Sequence, residues 1–132
     1  MYKILGKKTL APRVNEYVIS APDVASHAHP GQFIILRVDE EGERIPFTIC
    51  DFDKEAGTVT ILVQEVGYST EKLAAVPEGG SICDFVGPLG IPTDLGAYER
   101  IALVGGGIGS AVIFPQAKKL HAEGKSCDVV LG

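Results

Sequence analysis

From Tyr2 to about Gly90, apolar and polar residues alternate in short runs, the period-two signature of half-buried strands. The runs are YKILGKKTL, VNEYVIS, QFIILRV, PFTICDF, TVTILVQEV and ICDFV, all rich in Val, Ile, Thr and aromatics. HAHPGQ and DEEGER read as the early turns and DKEAGT as a hairpin loop. One helical interruption, STEKLAAV, follows Gly67 and stops at Pro77–Glu78–Gly79–Gly80. Six short strands with one inserted helix predict a mainly β fold: a six-stranded antiparallel Greek-key barrel, closed or nearly so.

After GPLGIPTDLGAYER the pattern changes. RIALV is a nearly continuous apolar run, as a parallel strand buried on both faces requires. A helix from near Gly109 to Glu123 follows, Gly124 stops it, and CDVVLG reads as a second buried strand. That is a single β-α-β unit. Pro115 removes a backbone donor inside the helix, so a first turn at Gly109–Phe114 and a kink or restart at Pro115 are expected. Residues 1–97 therefore read as one complete domain and residues 98–132 as the opening of another.

Charge narrows the partners. The 132-residue chain carries a net charge of -5. Residues 1–97 hold 14 Asp/Glu against 8 Lys/Arg, and residues 98–132 hold 3 against 4. An acidic body without a basic cluster argues against nucleic acid or an anionic membrane as partner. Backbone amides can still supply a local anion site. The first twenty residues lack the long apolar core of a signal peptide or membrane anchor. Cys50, Cys83 and Cys127 are widely spaced and form no C-x-x-C pair, which predicts free buried thiols in a reducing cytosol rather than a disulfide or metal framework.

Three stretches can carry chemistry. Gly105, Gly106, Gly107 and Gly109 lie between a strand and a helix, where backbone can approach a pyrophosphate at a helix N-terminus. The match to G-x-G-x-x-G is incomplete: Ser110 stands where the last glycine would be, and Asp128 lies at the start, not the end, of the second strand. A tight β-α turn that needs glycine for sterics alone is the competing reading. In ERIPFTI, Arg44 offers a fork of donors for phosphate, Thr48 a hydroxyl for a ring heteroatom and Phe47 a flat face, while Pro46 interrupts the ladder. The plain reading is an edge strand with a solvated Arg and a core Phe. In EVGYSTEKL, Gly67 permits a tight turn and Ser69 or Thr70 can cap a helix while facing an anion, although Glu71 opposes one; an ordinary capped helix is the alternative. His27 and His29 read as solvated loop residues, His121 as a complement to a helix C-terminus, and DEEGE as a solvated loop. No Ser-His-Asp or Cys-His arrangement supports hydrolysis.

The order of these stretches resembles the ferredoxin–NADP reductase superfamily, in which a six-stranded barrel holds a flavin and a following α/β domain holds the nicotinamide nucleotide. PGQFIILRV, ERIPFTI and GGGIGSAVIFPQAKKL are similar to one branch of it: the dihydroorotate dehydrogenase electron-transfer subunits and the small subunit of NADH-dependent ferredoxin:NADP oxidoreductase, also described as sulfide dehydrogenase. Members of that branch continue into a complete nucleotide domain and a cysteine cluster for a [2Fe–2S] centre. The resemblance thus implies that this chain is an N-terminal fragment, by truncation or by a split gene, with any [2Fe–2S] centre in the part that follows.

The resemblance implies that the barrel of residues 1–97 binds FAD and that residues 98–132 begin an NAD(P)H-binding domain. Arg44 with Ser69 and Thr70 would hold the pyrophosphate, Gly67 would belong to the same segment, and Phe47, Thr48 and Ile49 would line the ring beside Pro46. In the family pattern Arg-x-aromatic-Ser, however, Ile45 takes the arginine position and Arg44 comes one residue early, on the opposite face of a regular strand unless a bulge at Pro46 restores it. The implied activity is an NAD(P)H-linked, cytoplasmic flavoprotein subunit that accepts hydride and passes electrons to an iron–sulfur centre or a larger flavoprotein or dehydrogenase subunit. With no side-chain acid or base in view, the chemistry would be the cofactor's. The rival reading is a flavin-free barrel acting as a docking or regulatory module; a third makes the parent a simple NAD(P)H reductase. A lone β-α-β unit leaves apolar faces and a strand edge open, so the fragment is expected to be inactive alone and to self-associate.

Overall fold

The computed structural model describes residues 1–132. β1 (Tyr2–Ala11) and β2 (Val14–Ser20) form an antiparallel hairpin whose alternation turns Ile4, Tyr17 and Ile19 inward, each wholly buried. Helix α1 (Pro22–His27) leads to β3 (Phe33–Arg37), β4 (Ile45–Thr48) and β5 (Asp51–Asp53). β6 (Thr58–Gln64) pairs with β2 and sends Val59, Ile61 and Val63 to the same interior. Helix α2 (Tyr68–Ala74) precedes β7 (Ser81–Ile82) and β8 (Asp84–Leu89).

These strands make a five-stranded sheet in the order β5-β6-β2-β1-β7 and a three-stranded sheet in the order β4-β3-β8. Ile34, Leu36 and Phe85 from the small sheet meet the inward residues of the large one in a single core, with Val24 and Ala25 of α1 and Leu73 of α2 closing its ends.

The continuous closed barrel expected from the six runs is replaced by two open sheets, because two of the six runs break at corners. PFTICDF divides into β4 and β5: the Ile49 N–H donates to the Gln32 carbonyl at 3.1 Å and the Cys50 N–H to Thr60 at 2.9 Å. ICDFV divides at Cys83, whose N–H is shared by the carbonyls of Arg37 and Val38. Strands that change sheets at such corners let two short sheets fold over one core.

Two further expectations are corrected. PDVASH forms a helix, α1, too short to show a 3.6-residue period but started by Pro22 and held by the burial of Val24 and Ala25. The last helix does not restart at Pro115: after a 3₁₀ turn at Gly107–Gly109, α3 runs unbroken from Ser110 to Ala122. Pro115 is buried, and that packing offsets the lost backbone bond.

The final unit pairs β9 (Ala102–Gly105) in parallel with β10 (Asp128–Leu131). Leu103 and Gly105 lie buried, but Val104 is 70% exposed and β10 is exposed along its length. The two strands are thus open on one face, because α3 is the one layer packed on them. The linker is tied to the first sheet pair by a hydrogen bond from the Thr93 N–H to the Pro30 carbonyl. No helix is long and apolar enough to cross a membrane.

Candidate functional site

Arg44, Gly67, Ser69 and Thr70 come from two separate segments, and the fold brings them to one cavity of about 260 Å³, shared with Glu43, Ile45, Val66 and Tyr68. β3 is the reason: it pairs β4 on one side and places the preceding loop beside the turn that follows β6.

The β3–β4 ladder runs Phe33↔Thr48, Ile34↔Phe47, Ile35↔Pro46 and Leu36↔Ile45 with no irregularity, so no bulge occurs at Pro46. Ile34 and Leu36 are wholly buried, which turns Phe47 and Ile45 toward the interior. Pro46 and Thr48 take the outer face, and Arg44, just before the strand, lies on the same side, since it reaches Asp84, the register partner of the outward Arg37. Arg44 therefore shares a face with Thr48, not with Phe47. Phe47 packs against the core cluster, and Ile49 is wholly buried within it, with no free surface for a ligand.

Arg44 is held from β8, across β3 from β4. Its Nη2 lies 3.4 Å from Oδ2 of Asp84, and the same oxygen accepts from Nε of Arg37 at 2.7 Å. One carboxylate thus sits between two guanidinium groups. Burial alone would lower the Arg37 pKa, but the charge and hydrogen bond of Asp84, with Cys83 behind them, raise it above its usual value. Arg37 is the closer and better covered partner, which leaves Arg44, with 62% of its side chain exposed, the group with donors to spare.

On the other side of the cavity, the N–H groups of Val66 and Gly67 donate to Oγ1 of Thr70 at 2.9 and 3.0 Å, and the Thr70 hydroxyl donates back to the Gly67 carbonyl. Thr70 is 7% exposed, so it shapes the turn rather than facing a ligand. Ser69 donates to Oε2 of Glu43 at 3.0 Å. Gly67 is extended, and a Cβ built on it would meet nothing within 4 Å, so the space beside its backbone is open.

The loop expected to be solvated is instead clasped to α2. Besides Glu43–Ser69, Lys72 reaches Asp39 at 2.5 Å. That hydrogen bond is the main cause lowering the Asp39 pKa and raising that of Lys72. Glu43, Asp84, Asp39 and Lys72 were not singled out from the sequence; the signal for the loop lay in acidic residues whose partners, Ser69 and Lys72, come only with the next helix, 26 residues from Glu43 in the first case.

The glycine turn at the start of α3 divides by role. A Cβ on Gly105 would lie 2.9 Å from Cδ1 of Ile113, so that glycine lets the helix approach the strand. Gly106, Gly107 and Gly109 face open space, and Gly107 has φ +54, which favours glycine. Sterics therefore account for two of the four, Gly105 by close approach and Gly107 by its backbone conformation. The Gly107 N–H donates to the Gly132 carbonyl and the Gly109 N–H to Gly106, so two amides of the turn are engaged. A larger cleft of about 360 Å³ separates the outer face of the large sheet from α3 and β10; it is apolar, lined by Leu10, Leu62, Ile113, Phe114, Val129 and Leu131 among others.

The chain superimposes along its whole length on a solved NADH-dependent reduced ferredoxin–NADP oxidoreductase, described for flavin-based electron bifurcation, with a TM-score of 0.95 and 41% identity, covering 48% of that chain. By class, then, it is a ferredoxin-reductase-like protein. It is 42% identical over 130 residues to a dihydroorotate dehydrogenase B (NAD(+)) electron transfer subunit homolog of Thermotoga maritima, covering 98% of this chain and 46% of the relative. A Clostridium beijerinckii protein described as uncharacterized is 49% identical over 140 residues, with 47% of its length covered. No family model matches the chain. Along its whole length the chain is similar to the branch of the ferredoxin–NADP reductase superfamily that holds the dihydroorotate dehydrogenase electron-transfer subunits and the NADH-dependent ferredoxin–NADP oxidoreductase. It spans about half the length of the curated relatives it matches.

Proposed function

We propose that this chain is the flavin-holding part of an NAD(P)H-linked electron-transfer subunit. Residues 1–97, two open sheets folded over one core, are the FAD-binding domain, a barrel-like arrangement left open at its corners. Residues 98–132 are the first β-α-β of the NAD(P)H-binding domain. The observation that supports this reading most directly is the convergence of Arg44, Gly67 and Ser69 on one cavity, with Thr48 outward at the other end of β4.

The residues present fit an FAD pyrophosphate. Arg44 supplies spare charged donors, Ser69 a hydroxyl, and the open flank of Gly67 lets backbone come close. Pro46 and Thr48, with Phe33 and Ile35 behind them, offer a largely apolar surface with one hydroxyl for the flavin ring; Phe47 supports that surface from within. Bound FAD would supply the exchange between two-electron hydride chemistry and one-electron transfer. The chain's own residues bind and orient the cofactor, and the turn at Gly106–Gly109, open beside its glycines though the Gly107 and Gly109 amides are engaged, would receive the nucleotide of NAD(P)H. Electrons would leave toward an iron–sulfur centre, of [2Fe–2S] type, outside this chain, or toward a larger flavoprotein or dehydrogenase subunit.

The first test is the visible absorption spectrum of the purified chain after incubation with excess FAD and removal of free dye. A retained flavin spectrum is expected. Arg44→Ala should weaken FAD binding about tenfold, the scale of one charged hydrogen bond, and leave riboflavin binding unchanged. A colourless chain after this treatment favours the flavin-free docking module.

A further inference from the structure

We propose that Glu43 is a specificity-determining residue of this site: its carboxylate occupies the hydroxyl that a phosphate would need and so lowers the preference for FAD over flavins that lack phosphate. The inference rests on the flavin reading above and goes beyond it.

The Ser69 hydroxyl has one hydrogen, and that hydrogen is given to Oε2 of Glu43 at 3.0 Å. Glu43 also borders the cavity that holds Arg44. A phosphate accepting from Ser69 would stand beside Glu43, two anions competing for one donor. Like charges so placed are repelled, and the carboxylate must turn out to solvent before the phosphate can settle.

The fold allows that exchange at small structural cost. Glu43 is exposed, so its carboxylate can return to water. The loop that carries it has a second hold on α2, the Lys72–Asp39 ion pair, and the Gly42 N–H donates to the Asp39 carbonyl at 3.1 Å. Releasing Ser69 therefore breaks one hydrogen bond and leaves the loop in place. On the far side of the cavity Asp84 is shared with Arg37 and does not fully neutralise Arg44. The site thus sets one partly neutralised cation, Arg44, against one exposed anion, Glu43, and the anion decides how strongly phosphate is favoured.

Glu43→Gln keeps the length of the side chain and an oxygen for Ser69 while removing the charge. The 132-residue chain and its variants are titrated with FAD and with riboflavin at low and high salt. For Glu43→Gln the FAD Kd should fall about three- to tenfold, the riboflavin Kd should not change, and the gain should shrink at high salt. Asp39→Asn, which loosens the same loop but keeps Glu43, should leave the ratio of FAD to riboflavin affinity as it was. Unchanged or weaker FAD binding in Glu43→Gln overturns the proposal, weaker binding meaning that the carboxylate accepts from a ligand hydroxyl. Equal tightening by Asp39→Asn overturns it too, in favour of loop slack. If neither flavin binds the parent chain or its variants, the flavin reading fails and this inference falls with it.

Discussion

Cys50 and Tyr17 are ionisable groups that the fold holds away from water. Burial, with the negative charges of Asp51 and Glu16 adding to it, pushes the Cys50 thiol from 9.0 to about 11. Burial and then the charge of Glu65 push Tyr17 from 10.0 to about 12. Asn15 gives its side chain to Thr9 and Glu65, and the Tyr17 hydroxyl is left without a hydrogen-bond partner. Both groups are harder to ionise folded than unfolded, so the unfolded chain loses protons first as pH rises. Stability should therefore fall from about pH 9 upward, first through Cys50 and then, above about pH 10, through Tyr17. Thermal unfolding across this range checks it: Cys50→Ala should delay the onset of the fall by about one pH unit. At this scale the sequence offered residue types, such as the donors Arg44 and Ser69, that the fold brings to one cavity. It was not legible where a partner decides: nothing near Glu43 in the chain indicates that its carboxylate meets Ser69, and nothing near Arg44 indicates Asp84.

Gly67 and Gly87 show how an element gives the same residue opposite meanings. Gly87 lies in β8 where its ladder with β3 shifts register between Phe33 and Ile35. A Cβ there would fall 2.7 Å from Cγ2 of Ile34 and 3.3 Å from the Phe33 carbonyl oxygen. Gly87→Ala should destabilise the fold by about 1–3 kcal/mol, the cost of overpacking a core that cannot yield, read as a lower denaturation midpoint at unchanged slope. Gly67→Ala meets open space in an extended conformation and should stay within about 0.5 kcal/mol of the parent in the same measurement. The strands themselves were legible because period-two alternation is a local property. The corners at Ile49–Cys50 and Cys83 were not, since they depend on which carbonyl receives each N–H. Helix α1 was hidden for a different reason: six residues hold too little of a helical period to stand out.

For the molecule as a whole, the feature with the largest physical consequence is the exposed two-stranded sheet of β9 and β10. Val104 and Val130 are 70% and 56% exposed side by side on the open face of a two-stranded parallel sheet with both outer edges unpaired. Such a surface favours association with another copy. Sedimentation velocity over a range of concentrations should show a weight-average mass that rises with concentration, and Val130→Lys should reduce the rise; a monomer at every concentration would refute it. By itself the sequence determined the strand runs, the change to a β-α-β unit after about residue 97, and the family resemblance, because alternation, glycine spacing and motif order are written along the chain. Only the tertiary structure decided that the runs fold as two open sheets, that Arg44 shares the outer face with Thr48 while Ile49 is lost to the core, and that Glu43 and Asp84 hold the donors of the candidate site. Those outcomes depend on register and on contacts between residues dozens of positions apart, which no local pattern encodes.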